Sequence, residues 1–218
     1  MALAPYRSLA PTGQALTAEQ VRAFVQSACP AANYRGQRIV LIIPDATRTA
    51  PVGLMFKTLF NQIAGVAKKF DVMLALGTHP AMTEDAINER VEITAAERAS
   101  TYQSVEFINH EWDNPAALRD LGSIPAEDIK TLSGGLFAMD VPVHINRRLF
   151  DYDQIIICGP VFPHEVVGFS GGNKYLFPGV AGPGILNFFH WLGAVVTNPM
   201  IIGNKWTAVR KVVDRAGA

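Results

Sequence analysis

The sequence predicts an α/β fold, a mostly parallel sheet with flanking helices. Three observations predict it. Residues 38–43 (RIVLII), 71–76 (DVMLAL) and 154–158 (QIIIC) are short apolar runs of the kind that suits strands buried on both faces. Helical stretches separate them, and strands alternating with helices favour a parallel sheet. Each run stops at proline or glycine, with polar residues just beyond. Together these make the domain Rossmann-like.

The elements follow in order. Residues 16–28 read as a helix, with Thr17 as cap and Glu19 and Gln20 in the first turn. The strand at 38–43 ends at Pro44. Residues 51–69 read as a helix with Pro51 near its first turn. The strand at 71–76 ends at Gly77, and Thr83 caps the helix that begins there. Residues 104–108 read as a third strand. Residues 130–146 alternate around Gly134-Gly135 and fit a hairpin or edge strands. The strand at 154–158 ends at Gly159-Pro160. Helices are expected at 184–192 and from 208 to 216.

The 218 residues suffice for one large domain or two small ones. Basic and acidic residues balance at 19 each, so no basic field attracts nucleic acid or an anionic membrane. Cys29 and Cys158 are too few for a disulfide scaffold, and no C-x-x-C offers a thiolate metal site. Cys158 ends an apolar run and reads as a buried, inert thiol. There is no signal-like apolar segment near the start, and no apolar run reaches the length of a membrane span. A cytoplasmic protein with neither nucleic-acid nor membrane partners is expected.

The chemistry concentrates in HEVVGFSGGNKYLFPGVAGPGILNFFH, which runs from His164 to His190. Its glycine-rich turn, Gly168 to Lys174, includes Ser170, Gly171 and Gly172. Such a turn lets backbone N–H groups approach a phosphate closely. Lys174 can neutralise that phosphate or act as a nucleophile. The flanking imidazoles can move a proton or hold a metal. The turn is no P-loop, because Asn173 and Tyr175 stand where that pattern needs glycine and a hydroxyl residue. The plain alternative is a surface turn with a solvated lysine.

Further candidates fall just beyond the strands, where ligands of open α/β sheets bind. Asp45, Thr47 and Arg48 follow the first strand. The arginine fork suits a carboxylate, and Asp45 can orient that arginine, a histidine or a hydroxyl. Without a ligand the segment reads equally well as a turn with a surface ion pair. His79 follows Gly77-Thr78, and His164 follows Pro163 at a comparable turn. Each reads either as a loop residue or as a general acid or base. His190 sits in NFFHWLG, where a packed helix position competes with metal ligation. His110 and His144 occupy strand-like segments and read as structural.

These motifs resemble the amino-terminal domain of the lactate racemase family, whose enzymes use a nickel-pincer nucleotide. The resemblance rests on D-x-T-R (Asp45, Thr47, Arg48), on G-T-H (Gly77 to His79), and on His164 followed by G-F-S-G-G-x-K-x-x-x-P-G-V-A and His190. It covers most of the chain and implies a set of roles. Lys174 would carry the pincer nucleotide covalently, and His190 would ligate its nickel, which favours the square-planar setting of a tridentate ring plus one imidazole. Ser170, Gly171, Gly172 and Thr47 would cradle the cofactor. Arg48, with Asp45 beside it, would hold the substrate carboxylate. His79 and His164 would exchange the proton of the 2-hydroxyl, one for each enantiomer, while the C2 hydrogen moves as hydride to the cofactor and back.

The implied activity is racemisation or epimerisation of a 2-hydroxy acid, lactate or a relative such as malate. The implied partners are that acid, the cofactor-synthesis enzymes and a C-terminal domain. The family's members are about twice as long, so residues 1–218 are expected to form the N-terminal cofactor-binding domain, with the C-terminal domain absent from this chain. Asn173 and the residues from Tyr175 to Phe177 depart from the commoner form around the lysine, and Ala181-Gly182-Pro183-Gly184 differs from what usually follows P-G-I-A. Two other readings compete: a zinc hydrolase with His79, His164 and His190 as ligands, and a non-catalytic module that binds a nucleotide or a partner.

Overall fold

The computed structural model describes residues 6–218. In chain order the elements are α1 (Ala18–Ala28), β1 (Arg38–Pro44), α2 (Val52–Ile63), β2 (Lys69–Ala75), α3 (Glu84–Arg90), α4 (Ala95–Ala99) and β3 (Phe107–Asn109). There follow β4 (Leu118–Ile124), α5 (Ala126–Leu132), β5 (Val141–Asn146), β6 (Gln154–Ile157), β7 (Pro163–His164) and β8 (Gly168–Phe169). The chain continues through α6 (Pro183–Val196), α7 (Asn198–Ile201) and α8 (Ala208–Ala216). No helix among the described residues is long and apolar enough to cross a membrane.

The main sheet has the order β3-β2-β1-β6, and every pairing in it is parallel. This is the α/β architecture that the apolar runs predict. Alternation along β1 divides the core. Ile39, Leu41 and Ile43 pack with α2 residues such as Phe56 and Leu59. Val40 and Ile42 pack on the other face with Ile185 and Phe189 of α6 and Val209 of α8. Ile39 through Ile43 are all 0% exposed, so β1 is the hydrophobic axis of the domain. Thr17 caps α1 in a reciprocal capping box with Gln20, and Thr83 caps α3 as expected.

Three expectations need correction. The helix expected over 51–69 ends at Ile63, because the chain must turn and re-enter the sheet at Lys69. Residues 130–146 form no hairpin of their own, although their last part, Val141–Asn146, is an edge strand as the other alternative allowed. Residues up to Leu132 are the helix α5, and β5 pairs antiparallel with β4, which the sequence reading missed. The burial of β4 explains the miss: five of its seven residues are exposed, so it carries no apolar run. The third strand also starts later than expected, at Phe107.

A polar network ties the sheet together near the amino ends of its strands. Asp71 is fully buried and accepts from the Tyr152 hydroxyl at 2.6 Å, the Lys69 ammonium at 2.6 Å and the Glu106 amide at 2.9 Å. Arg148 grips Glu106 with two bonds, of 2.5 and 2.6 Å. The Arg148 guanidinium overcomes partial burial, and Lys69 helps it hold the Glu106 carboxyl down at about 2.

Two predictions follow from this packing. Ile42→Ala, at a fully buried site, is expected to lower the unfolding free energy by about 2–5 kcal/mol in urea titrations. Because the folded value of Glu106 is depressed, its contribution is complete above the ordinary value of 4.5 and is withdrawn as the pH falls towards 2. Arg148→Met should flatten that part of the Tm–pH curve. Its cost at neutral pH is held to about 1 kcal/mol by solvent screening of a half-exposed pair.

Candidate active site

The parallel register puts the carboxyl ends of β1, β2 and β6 on one edge of the sheet. The strand order reverses between β1 and β6, and open α/β sheets bind ligands at such a switch point. A cleft of about 170 Å³ opens at this edge. It is lined by Asp45, Thr47, Arg48, His79, His164, Ser170, Gly171, Lys174 and His190, contributed from five separate parts of the chain. Gly172 is the exception among the candidates, because it is exposed and lines a neighbouring groove.

Asp45 stands one residue beyond β1 and is 7% exposed. Its Oδ1 accepts from the Thr47 hydroxyl at 2.6 Å and the Thr47 amide at 3.2 Å. Its Oδ2 is bonded to Nδ1 of His79. Burial pushes the Asp45 carboxyl upward, but these bonds outweigh burial and leave it below its ordinary value. Of the three partners the sequence allows for Asp45, the structure selects the histidine and the hydroxyl. The Arg48 side chain lines the cleft and forms no ion pair among the described residues. It is therefore available to an incoming carboxylate.

Arg90 was not foreseen. It reaches from α3 and donates to the Pro44 carbonyl at 3.0 Å and the Arg48 carbonyl at 2.8 Å. It thereby holds both ends of the turn that carries Asp45. Nothing in EDAINER distinguishes such an arginine from a solvated one.

The β2 loop is fastened across the cleft, where the Gly77 amide donates to the Gly179 carbonyl at 2.9 Å. It brings His79 to the cleft that the lysine segment also lines. His164 lies on β7, paired with Gly168 of β8, and is 7% exposed. Its Nδ1 accepts from the Val166 amide at 3.1 Å. Burial, reinforced by the Lys174 charge, lowers its pKa to about 4.

Close approach forces the turn before Lys174 to use glycine. Gly168 has φ +93°, and a Cβ there would lie 1.9 Å from the Asn204 carbonyl oxygen. Arg210 of α8 braces the same turn by donating to the Phe169 carbonyl and, at 3.4 Å, to the Gly171 carbonyl. The Ser170 hydroxyl is already engaged, since it donates to the Pro160 carbonyl at 3.0 Å and accepts from the Phe162 amide at 2.9 Å. Ser170 therefore acts as a brace between the two arms of the loop. The Lys174 Nζ lies 5.9 Å from the centre of the Phe189 ring, with no carboxylate in ion-pair contact among the described residues. Burial, with the Arg48 charge second, lowers its amine to about 8.

His190 is on α6, and its Nδ1 donates to the Leu186 carbonyl at 2.9 Å, so its Nε2 keeps a free lone pair. His110 is buried between the Ala181 carbonyl and the Asn146 side chain, a structural role matching its sequence context. His144 lies on β5 and does not line the cleft. The Cys158 thiol is pushed up to about 11 by burial, which leaves it unreactive at neutral pH.

Residues 13–200 match the family model of the lactate racemase N-terminal domain. The chain belongs to this family. Two lactate racemases match it at 27% identity. That of Thermoanaerobacterium thermosaccharolyticum does so over 147 residues, and that of Lactiplantibacillus plantarum over 146. Each match covers 66% of this chain and 30% of the relative. A crystal structure of a Thermotoga maritima protein superposes with a TM-score of 0.82 at 31% identity, covering 93% of this chain and 47% of that one. The lactate racemase apoprotein of T. thermosaccharolyticum superposes with a TM-score of 0.63 at 20% identity, a likeness of fold. That superposition covers 84% of this chain and 40% of the apoprotein. The chain thus spans less than half the length of the relatives it matches. The parallel α/β sheet is the fold that this chain shares with those structures.

Labelling of Lys174 by an amine-reactive anhydride should titrate near pH 8, well below a surface lysine at 10.5. Arg48→Ala removes a neighbouring positive charge and should move that midpoint upward. Peptide mass spectrometry across a pH series measures both shifts.

Proposed function

We propose that this domain carries the cofactor-binding and proton-handling part of a 2-hydroxy-acid racemase or epimerase that uses a covalent nickel-pincer nucleotide. The convergence of Lys174, His190, Arg48, His79 and His164 on one cleft is the observation that supports this reading most strongly. Family membership and the two lactate racemase relatives support it further.

The residues present fit the cofactor. Among the described residues no group of three or more His, Cys, Asp and Glu could hold a metal ion. The zinc site of three histidines is therefore not formed. A metal here needs donors from outside the chain, and a tridentate pincer ring supplies three. His190 offers the remaining one, a free Nε2 fixed by its Nδ1 bond to Leu186. Lys174 offers a half-buried amine without a carboxylate partner, and burial favours its uncharged, nucleophilic form. When bound, the pincer nucleotide would supply a carbon that accepts and returns hydride.

The chain's own groups would do the rest. Arg48 would bind the substrate carboxylate with two N–H donors, held in place by the grip of Arg90 on its backbone. Asp45 fixes the His79 ring through Nδ1, which leaves Nε2 to exchange the hydroxyl proton. His164, buried and neutral, would meet the same oxygen from the other arm of the cleft. Leu76, Pro178 and Phe189 give the lining an apolar component, which limits water around the reacting carbon.

Co-production of the chain with the pincer-nucleotide synthesis enzymes and nickel tests this reading. The intact mass should gain a cofactor-sized adduct that Lys174→Ala abolishes. His190→Ala should keep the adduct and lose most of the nickel by elemental analysis. An unmodified mass for the wild-type chain would contradict the proposal.

A further inference from the structure

The two histidines of the cleft are held through the same ring atom, Nδ1, by partners of opposite hydrogen-bonding character. His79 Nδ1 meets the Asp45 carboxylate, which can only accept. His164 Nδ1 meets the Val166 amide at 3.1 Å, which can only donate. We infer that the neutral rings are locked in opposite tautomers, so that the resting cleft holds one base and one proton donor. His79 carries its proton on Nδ1 and presents a bare Nε2. His164 keeps Nδ1 bare and carries its proton on Nε2. Neither Nε2 has a hydrogen-bond partner among the described residues, and both side chains line the cleft.

The surroundings keep His164 in this form. A proton on Nδ1 would face the fixed Val166 N–H at close range. Full protonation is opposed by burial and by the Lys174 and Arg48 charges. One group pulls the other way: the Glu165 carboxylate has Oε2 3.3 Å from the same Nδ1. Glu165 is 56% exposed and free to rotate into solvent, whereas the amide is fixed in the backbone. The backbone donor therefore wins.

The chemical consequence is an unequal division of work, and this part rests on the function proposed above. His79 takes the hydroxyl proton directly at Nε2. His164 enters as an N–H donor to the substrate oxygen, suited to a 2-oxo-acid carbonyl, and can act as a base at Nε2 only after a tautomer change that moves its proton to Nδ1. Val166 and Asp45 are positioning groups, since they act through the rings.

The test is the imidazole nitrogen spectrum of ¹⁵N-histidine-labelled full chain at neutral pH, without cofactor. His79→Gln and His164→Gln samples identify the two rings. Long-range ¹⁵N–¹H correlations should show Nδ1–H for His79 and Nε2–H for His164. Asp45→Ala should release the His79 preference towards a mixed tautomer and leave His164 unchanged. The same tautomer at both rings, or an Nδ1–H at His164 as Glu165 would favour, overturns the inference. So does an Asp45→Ala spectrum in which His79 does not move. These readouts need no loaded enzyme, so their failure is separate from failure of the lysine adduct.

Discussion

The parallel pairing of β1 with β2 on one side and β6 on the other is the constraint on which the rest of this structure depends. Parallel strands share a direction, so whatever follows each of them arrives at the same edge. Asp45, His79 and the His164 loop are therefore brought together although the histidines stand 85 residues apart in sequence. The pairing holds because β1 is buried on both faces, with one core beneath it and another above. A register slip of one residue would exchange those faces and move Asp45 off the rim.

Polar contacts then refine what the sheet brings together. Asp45 is not a free carboxylate in a cleft. It is saturated by Thr47 and His79, and its turn is gripped by Arg90 from below. The lysine turn is held in the same manner by Arg210 and by the Ser170 hydroxyl. Both supports come from arginines that donate to backbone carbonyls. They fix the loop paths while the side chains of Arg48 and Lys174 remain available. Burial, with the neighbouring Arg48 charge second, lowers the Lys174 amine. A structural lysine gains nothing from such a setting, whereas a nucleophilic one does.

The division between the two ends of the sheet is equally physical. At the amino ends, the carboxylates of Asp71 and Glu106 are closed by several donors each, and this is a fastening. At the carboxyl ends, donors and acceptors are left facing a cleft. Open polar groups at one end and closed ones at the other distinguish a site from a scaffold within one domain.

The sequence by itself determined the parallel α/β class, the β1, β2 and β6 strands, the Thr17 and Thr83 caps, and the motif residues of the lactate racemase N-terminal family. These features are local: apolar runs, capping residues and glycine punctuation act within a few positions of themselves. It could not show β4, whose exposed side chains leave no periodic signal. It also left Asp45 with three possible partners and could not assign a role to Arg90 or Arg210. Gly172 looked equivalent to Gly171 in sequence, yet Gly171 lines the cleft and Gly172 lines only the neighbouring groove. Only the tertiary structure decided these matters. A hydrogen bond from one chain segment to another depends on how strands are ordered and loops cross, and no spacing along the chain encodes that directly.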